Sequence, residues 1–191
     1  LRALYFFPTI LSSVSVAFIW SFIYDPNLGI LNTFLKKLNM DFLAYNWLGD
    51  ESIAIFSIAF VQVWFHTGQM LIIFVAGLQN IPEDLYEVAK IEGANRWQKF
   101  RYVTWPLVAP AAIIVMAYTT IQSFKAFDLI FAMTRGGPNY ATEILATNIY
   151  STAFRSFKFG YASAESVLFM IIIALITFIQ FRVLRANRVQ Y

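Results

Sequence analysis

Three ionisable residues, Lys125, Asp128 and Glu165, stand inside runs that are otherwise free of charge. An ionised side chain within a bilayer costs about 2.5–3.5 kcal/mol on insertion scales, so charges in such places carry ions, protons or substrates, or else pair with one another. Around them stand neutral groups with a different chemistry. Ser12, Ser13 and Ser15 come first, then Trp64, Phe65, His66, Thr67 and Gln69, then Thr119, Gln122 and Ser123. Hydroxyls and amides flanked by rings suit a sugar, whose hydroxyls need donors and acceptors and whose C–H faces need aromatic surface. The same residues have a plainer use. Membrane serines and threonines bond back to their own helix or let helices pack closely. A lone His66 fits an interhelical hydrogen bond better than proton carriage.

Other chemistries are missing. The chain has no cysteine and one histidine, which excludes disulfides, thiolate metal sites and multi-histidine metal sites. No Gly-x-x-x-x-Gly-Lys-Ser/Thr loop occurs, so ATP is not bound in that way, and no Gly-x-Ser-x-Gly element supplies a nucleophile. No cofactor is expected. A net charge of +3 gives no reason to expect a nucleic-acid partner.

The elements that position the polar groups follow from composition. At 59% hydrophobic and 13% charged, this is a membrane composition. Four runs, 4–24, 53–78, 107–133 and 162–181, are each long enough for a spanning helix. They predict an all-α, polytopic protein forming a single transmembrane domain over 1–191. The first run carries no charge over 21 residues and no small-x-small cleavage site follows it, which fits a span rather than a signal peptide. Leu1 is not an initiator, so the chain reads as trimmed.

Orientation comes from the basic residues. One side holds Arg2, Lys90, Arg96, Lys99, Arg101, Arg182, Arg185 and Arg188; the other holds Lys36, Lys37, Arg135, Arg155 and Lys158. This places 79–106 in the cytoplasm and 25–52 and 134–161 outside. The third run is centred near Thr120, so Lys125 lies about 7–8 Å outward and Asp128 about 12 Å. Lys125 can snorkel and pair with Asp128 one turn on, or it can meet substrate. Thr119 and Ser123, four apart, share a helix face. Trp64 and Gln69, five apart, need a broad cavity to meet one solute. Ser13, Trp64, Gln69, Thr119, Ser123 and Lys125 are therefore the candidate lining of a solute path.

The one long charged stretch between the runs is 82–110. Pro82 suits the first position of a helix, with Glu83 and Asp84 in its first turn. Leu85, Val88, Ala89 and Glu92 share a face, and Gly93 can end the helix. Asn95 and Gln98 form a candidate capping box for a second short helix, and Pro106 is expected to start the next span. A solvated amphipathic linker is the bland alternative.

The spacing Glu87-x-Ala89, three residues, Gly93, nine residues, Val103-Thr104-Trp105-Pro106 resembles the EAA motif of ABC-importer permeases. Val88 replaces the first Ala of that motif, and Val103 and Trp105 replace its Ile and Leu. The resemblance covers the whole chain. It runs through 5–32, Val63-Trp64, Gly77-Leu78-Gln79-Asn80-Ile81-Pro82, Thr134-Arg135-Gly136-Gly137-Pro138 and Gly160-Tyr161-Ala162-Ser163-Ala164. It points to the carbohydrate and glycerol-phosphate subfamily, similar to the maltose-type permeases.

The resemblance implies a type I ABC importer permease fold lacking two N-terminal spans, a multi-pass protein of the cell inner membrane. It implies that Glu87, Ala89, Gly93 and Pro106 belong to a coupling-helix pair seated in a groove of a separate ATP-binding subunit. A second permease subunit and an extracytoplasmic solute-binding protein complete the expected partners, with ATP hydrolysis outside this chain. One departure stands out: Glu165 follows the Gly-Tyr-Ala-Ser-Ala run where the family usually has an apolar residue. The competing reading is an ion- or proton-coupled secondary transporter using Lys125, Asp128 and Glu165. A membrane enzyme finds no constellation to support it.

Overall fold

The computed structural model describes residues 2–186, with side chains over 3–182. The side chains of Arg2 and Arg185, and Arg188 altogether, which entered the charge count, lie outside the described residues. The described chain is helical without strands: α1 (Arg2–Ile10), α2 (Ser13–Ile23), α3 (Ile30–Lys37), a 3-10 turn (Asp41–Leu43), α4 (Ala54–Gln79), α5 (Glu83–Ile91), α6 (Arg96–Lys99), α7 (Trp105–Phe124), α8 (Phe127–Met133), α9 (Leu145–Tyr150) and α10 (Phe159–Ala186). It is an all-α, polytopic membrane fold. Three unbroken stretches, Ala54–Gln79, Arg96–Phe124 and Phe159–Arg182, are long and apolar enough to cross a bilayer, and the bent pair α1–α2 makes a fourth if it counts as one span.

The expected first span over 4–24 is therefore not one helix. It turns through 105° between α1 and α2. Pro8 lies within α1, and the Ser12 hydroxyl accepts a hydrogen bond from the Ser15 N–H, capping α2. A proline that donates nothing, followed by a residue that prefers a cap, breaks a run that hydropathy alone reads as continuous.

The third expected span breaks as well. α7 ends at Phe124, and the Phe127 N–H reaches the Lys125 carbonyl at 2.7 Å before α8 begins. Lys125 thus follows the negative end of one helix dipole, and Asp128 lies in the first turn of the next, where a carboxylate is favoured. Helix ends, not a continuous helical face, place the two charges.

Pro106 does not open a span. It is the second residue of α7, and the apolar helix runs on from Arg96 through a five-residue π turn, Phe100–Thr104. The Trp105 N–H donates to the Phe100 carbonyl across this turn. Proline lacks a donor and crowds the carbonyl one turn back, so widening the turn before it lets the helix continue.

The described chain forms two compact units. The first holds the chain up to Gly68 together with Phe124–Ile171, and the second holds Gln69–Ser123 together with the chain from Ile172 on. In the first unit α2 packs on α8, and Val16, Ala17, Ile58, Val61, Leu129 and Ile130 form the buried core. Gly68 is needed there: a Cβ would lie 2.0 Å from the Tyr5 carbonyl oxygen, so only glycine lets α4 meet α1 so closely. The Thr9 hydroxyl bonds the Phe65 carbonyl across the same contact at 2.9 Å. In the second unit Ile81, Val108 and Ala111 are the buried core, with Ile73, Phe74, Tyr86 and Leu107 around them.

Candidate functional site

The segment 79–106 lies wholly in the second unit. Pro82 is the N-cap residue of α5 rather than its first helical residue, one place earlier than expected, and Glu83 and Asp84 occupy the first turn. The helix closes on a Schellman pair: the Gly93 N–H donates to the Lys90 carbonyl at 3.1 Å and the Ala94 N–H to the Ala89 carbonyl at 2.9 Å. Gly93 has φ +76°, the left-handed backbone that such a stop requires. The space over it is open, with no atom within 4 Å of where a Cβ would stand.

The predicted capping box is present. The Gln98 N–H donates to Asn95 Oδ1 at 2.9 Å and the Asn95 N–H to Gln98 Oε1 at 2.8 Å. One side of α5 is fixed to its own unit, through the Tyr86 hydroxyl at 2.9 Å from Thr104 Oγ1 and through buried Ile81. The rest is not covered. Leu85, Val88, Ile91 and Trp97 are all exposed, Ile91 at 86%, and Glu87 is exposed beside half-buried Ala89. Apolar residues at helical spacing left uncovered on a helix with a closed C-terminus are the mark of a docking face.

The six residues expected to line a path divide between the units. Ser13, Trp64 and Lys125 belong to the first; Gln69, Thr119 and Ser123 belong to the second. Ser13 Oγ donates to Asp128 Oδ2 at 3.4 Å, so Asp128 is engaged by α2. Among the described residues no ion pair joins Lys125 to Asp128, and Lys125 is exposed in the break after α7. The expected one-turn pairing fails because the helix that would carry it ends between the two residues. Trp64 is half-buried and packs edge-on against Trp20 at 5.4 Å, inside the aromatic core. Thr119 Oγ1 donates to the Val115 carbonyl at 2.6 Å, the bland back-bonded arrangement. His66 Nδ1 lies 3.2 Å from the Gln62 carbonyl one turn back on its own helix.

Gln69 is joined by a residue that the sequence did not single out. The Tyr118 hydroxyl donates to Gln69 Oε1 at 2.9 Å and accepts from Gln122 Nε2 at 3.0 Å. A second polar contact in the same unit has Gln180 Nε2 donating to Thr120 Oγ1 at 2.8 Å. Tyr118 could have been found from its place among Thr119, Thr120 and Gln122 on one span. Gln180, alone near the end of a long apolar run, gave no such signal.

The loops outside these helices are knit inward. Asp25 Oδ1 accepts from the N–H groups of Leu28 and Asn27, and these bonds hold its carboxyl below the usual range. Asp50 is lowered likewise by the Ser52 hydroxyl and N–H. Buried Asn32 donates to the Tyr45 carbonyl at 2.9 Å and accepts from Trp47 Nε1 at 2.7 Å. In the other loop, Thr142 is fully buried and donates to the Gly137 carbonyl at 2.6 Å, with a cis Gly137–Pro138 peptide beside it. Gly136 is buried, and Gly137 and Pro138 are half-buried.

Three kinds of likeness bear on this geometry. A family profile, the binding-protein-dependent transport system inner membrane component, matches residues 1–189. The chain is 33% identical to the probable ABC transporter permease protein YurN of Bacillus subtilis, over 98% of this chain and 64% of that protein. It is 35% identical to the trehalose/maltose transport system permease protein MalF of Thermococcus litoralis, over 98% of this chain and 63% of the relative. A crystal structure of a bacterial ABC transporter involved in the import of the acidic polysaccharide alginate matches with TM-score 0.87 at 21% identity, over 97% of this chain and 65% of the other. A second, of an alginate ABC transporter in complex with a pentasaccharide-bound periplasmic protein, matches with TM-score 0.85 at 21% identity, over 95% and 62%. The chain thus spans less than two thirds of the length of these relatives.

Proposed function

The chain belongs to the binding-protein-dependent transport system inner membrane components, and from that premise we propose that it is a permease subunit of an ATP-driven importer of a sugar or sugar-like solute. The observation that carries the reading is the uncovered apolar face of α5, closed by Gly93 and open above it. A helix that closes its own C-terminus and leaves Leu85, Val88 and Ile91 in the open is built to meet a soluble partner. That partner is a separate ATP-binding subunit, with Glu87, Ala89 and Gly93 at the contact. Pro106 acts at a distance, keeping the helix continuous from the contact into the span.

A second permease subunit and an extracytoplasmic binding protein complete the assembly, the latter meeting the 25–52 and 134–161 loops. The solute class rests on two supports: the neutral amide and hydroxyl groups of the second unit, where Gln69 and Gln122 meet the Tyr118 hydroxyl, and a relative named for trehalose and maltose. Lys125, exposed at its helix break, is the group an acidic sugar would recruit. The ion-coupled alternative has no support, because the family and its relatives are permeases of binding-protein-dependent ABC systems.

Labelling from the two sides of the membrane tests the arrangement. Cysteines at Asn27 and Ser156, both exposed, should react with an impermeant maleimide added from outside, and a cysteine at Lys90 should not. Reaction at Lys90 alone inverts the topology and removes the ATP-binding subunit from the face assigned to it.

A further inference from the structure

Within the first unit, α2, α3 and the start of α4 bound a groove of about 520 Å³. Its walls are mainly Trp20, Tyr24, Phe34, Trp47, Phe56 and Phe60. Its few polar groups are mostly spent. The Tyr24 hydroxyl donates to the Ser57 carbonyl at 3.2 Å, and Ser57 Oγ donates back to the Ile53 carbonyl at 3.2 Å. Among the side chains lining the groove, only the Trp20 indole N–H is buried without a hydrogen-bond partner. A carbohydrate would find almost no protein partner for its hydroxyls along these walls. A hydrocarbon chain loses nothing.

The outer wall says what brings such a chain in. Ile30 and Phe34 of α3 line the groove yet are 62% and 57% exposed. Lys36 and Lys37 occupy the last turn of the same helix, both exposed. Lys37 falls three residues after Phe34 and seven after Ile30, so it extends the groove-lining face. A short helix with an apolar face towards a membrane groove and lysines at its end matches the membrane–water interface, where ammonium groups meet lipid phosphates. We propose that this groove binds an anionic phospholipid, with one acyl chain along the aromatic wall and the phosphate held by Lys37 and Lys36.

The test uses the full chain reconstituted in phosphatidylcholine vesicles. Phosphatidylglycerol brominated on its acyl chains, or phosphatidylcholine brominated in the same way, is added as a minor component, and tryptophan quenching is read against lipid fraction. The contribution of the groove is the difference between the native chain and a Trp20→Phe variant, whose lost indole N–H had no hydrogen-bond partner. The brominated phosphatidylglycerol should half-quench that contribution at a lipid fraction lower by up to about thirtyfold at low salt, roughly fivefold per lysine. Lys36→Gln/Lys37→Gln should erase the preference while leaving the helical circular dichroism unchanged. Equal quenching by both lipids overturns the proposal, as does a preference that survives loss of both lysines. Quenching by neither overturns it too, and shows that protein fills the groove.

Discussion

The loops 25–52 and 79–106 are of equal length and opposite character. The first spends its polar residues on itself. Asn32 is buried as a hub for Tyr45 and Trp47, the Tyr24 and Trp47 rings stack at 5.9 Å, and Asp25 and Asp50 tie the two ends. The second satisfies its helix ends with the Gly93 stop and the Asn95–Gln98 box, then leaves Leu85, Val88, Ile91 and Trp97 in the open. Self-sufficient backbone combined with uncovered apolar side chains separates a docking element from a structural one. Loss of a hub should therefore cost stability, and loss of the exposed face should cost coupling.

The largest expected effect is on coupling. Gly93→Trp forces a side chain onto left-handed backbone and fills the open space above it. Solute uptake by the assembled transporter should fall to background, while membrane insertion stays close to native. Normal uptake in this variant would erase the contrast between the loops.

Next comes the hub. Asn32→Ala leaves Trp47 Nε1 and the Tyr45 carbonyl without their partner in a part-buried place, a loss of about 1 kcal/mol. A thermal-shift measurement should show a lowered melting temperature, with uptake reduced only in proportion to the folded fraction. An unchanged melting temperature would mean that the 25–52 loop is as loosely held as it looks in sequence.

The smallest effect is electrostatic. Asp25 and Asp50 have folded pKa values below the ordinary 3.8. A depressed carboxylate contributes stability above its unfolded value and loses it as pH falls through the folded one. The native loop should therefore resist pepsin better than the Asp25→Asn/Asp50→Asn variant above about pH 3.8, lose that advantage progressively below it, and match the variant only once the pH is under the depressed folded values. Equal cleavage at every pH would remove both turns from the account.

The sequence made the membrane class, the long apolar helices, the Gly93 stop and the Asn95 cap legible, because each rests on local chemistry or on a run longer than one helix turn. It did not show the breaks at Ser12 and Lys125. Hydropathy averages over a window and does not see a single hydroxyl capturing an N–H, as Ser12 does, or a carbonyl turned at Lys125. Pairing Lys125 with Asp128 assumed a continuous helix and fell with it. Trp64 read equally well as a sugar platform or as core, and only the contact with Trp20 places it in the aromatic core. Tyr118 meets Gln122 one turn along α7, a spacing legible in the sequence, but its bond to Gln69 crosses between helices, which no spacing along one helix can reveal.

The central claim is that the uncovered face of α5 meets an ATP-binding subunit, and one measurement bears on it most directly. Val88→Cys stands on that face, 53% exposed. The intact transporter carrying this substitution, treated with a short thiol-to-amine cross-linker in its native membranes, should yield one dominant adduct that contains a nucleotide-binding ATPase subunit. The adduct should disappear when Gly93→Trp is added. An adduct to lipid or to another membrane subunit, with no ATPase in it, would contradict the account.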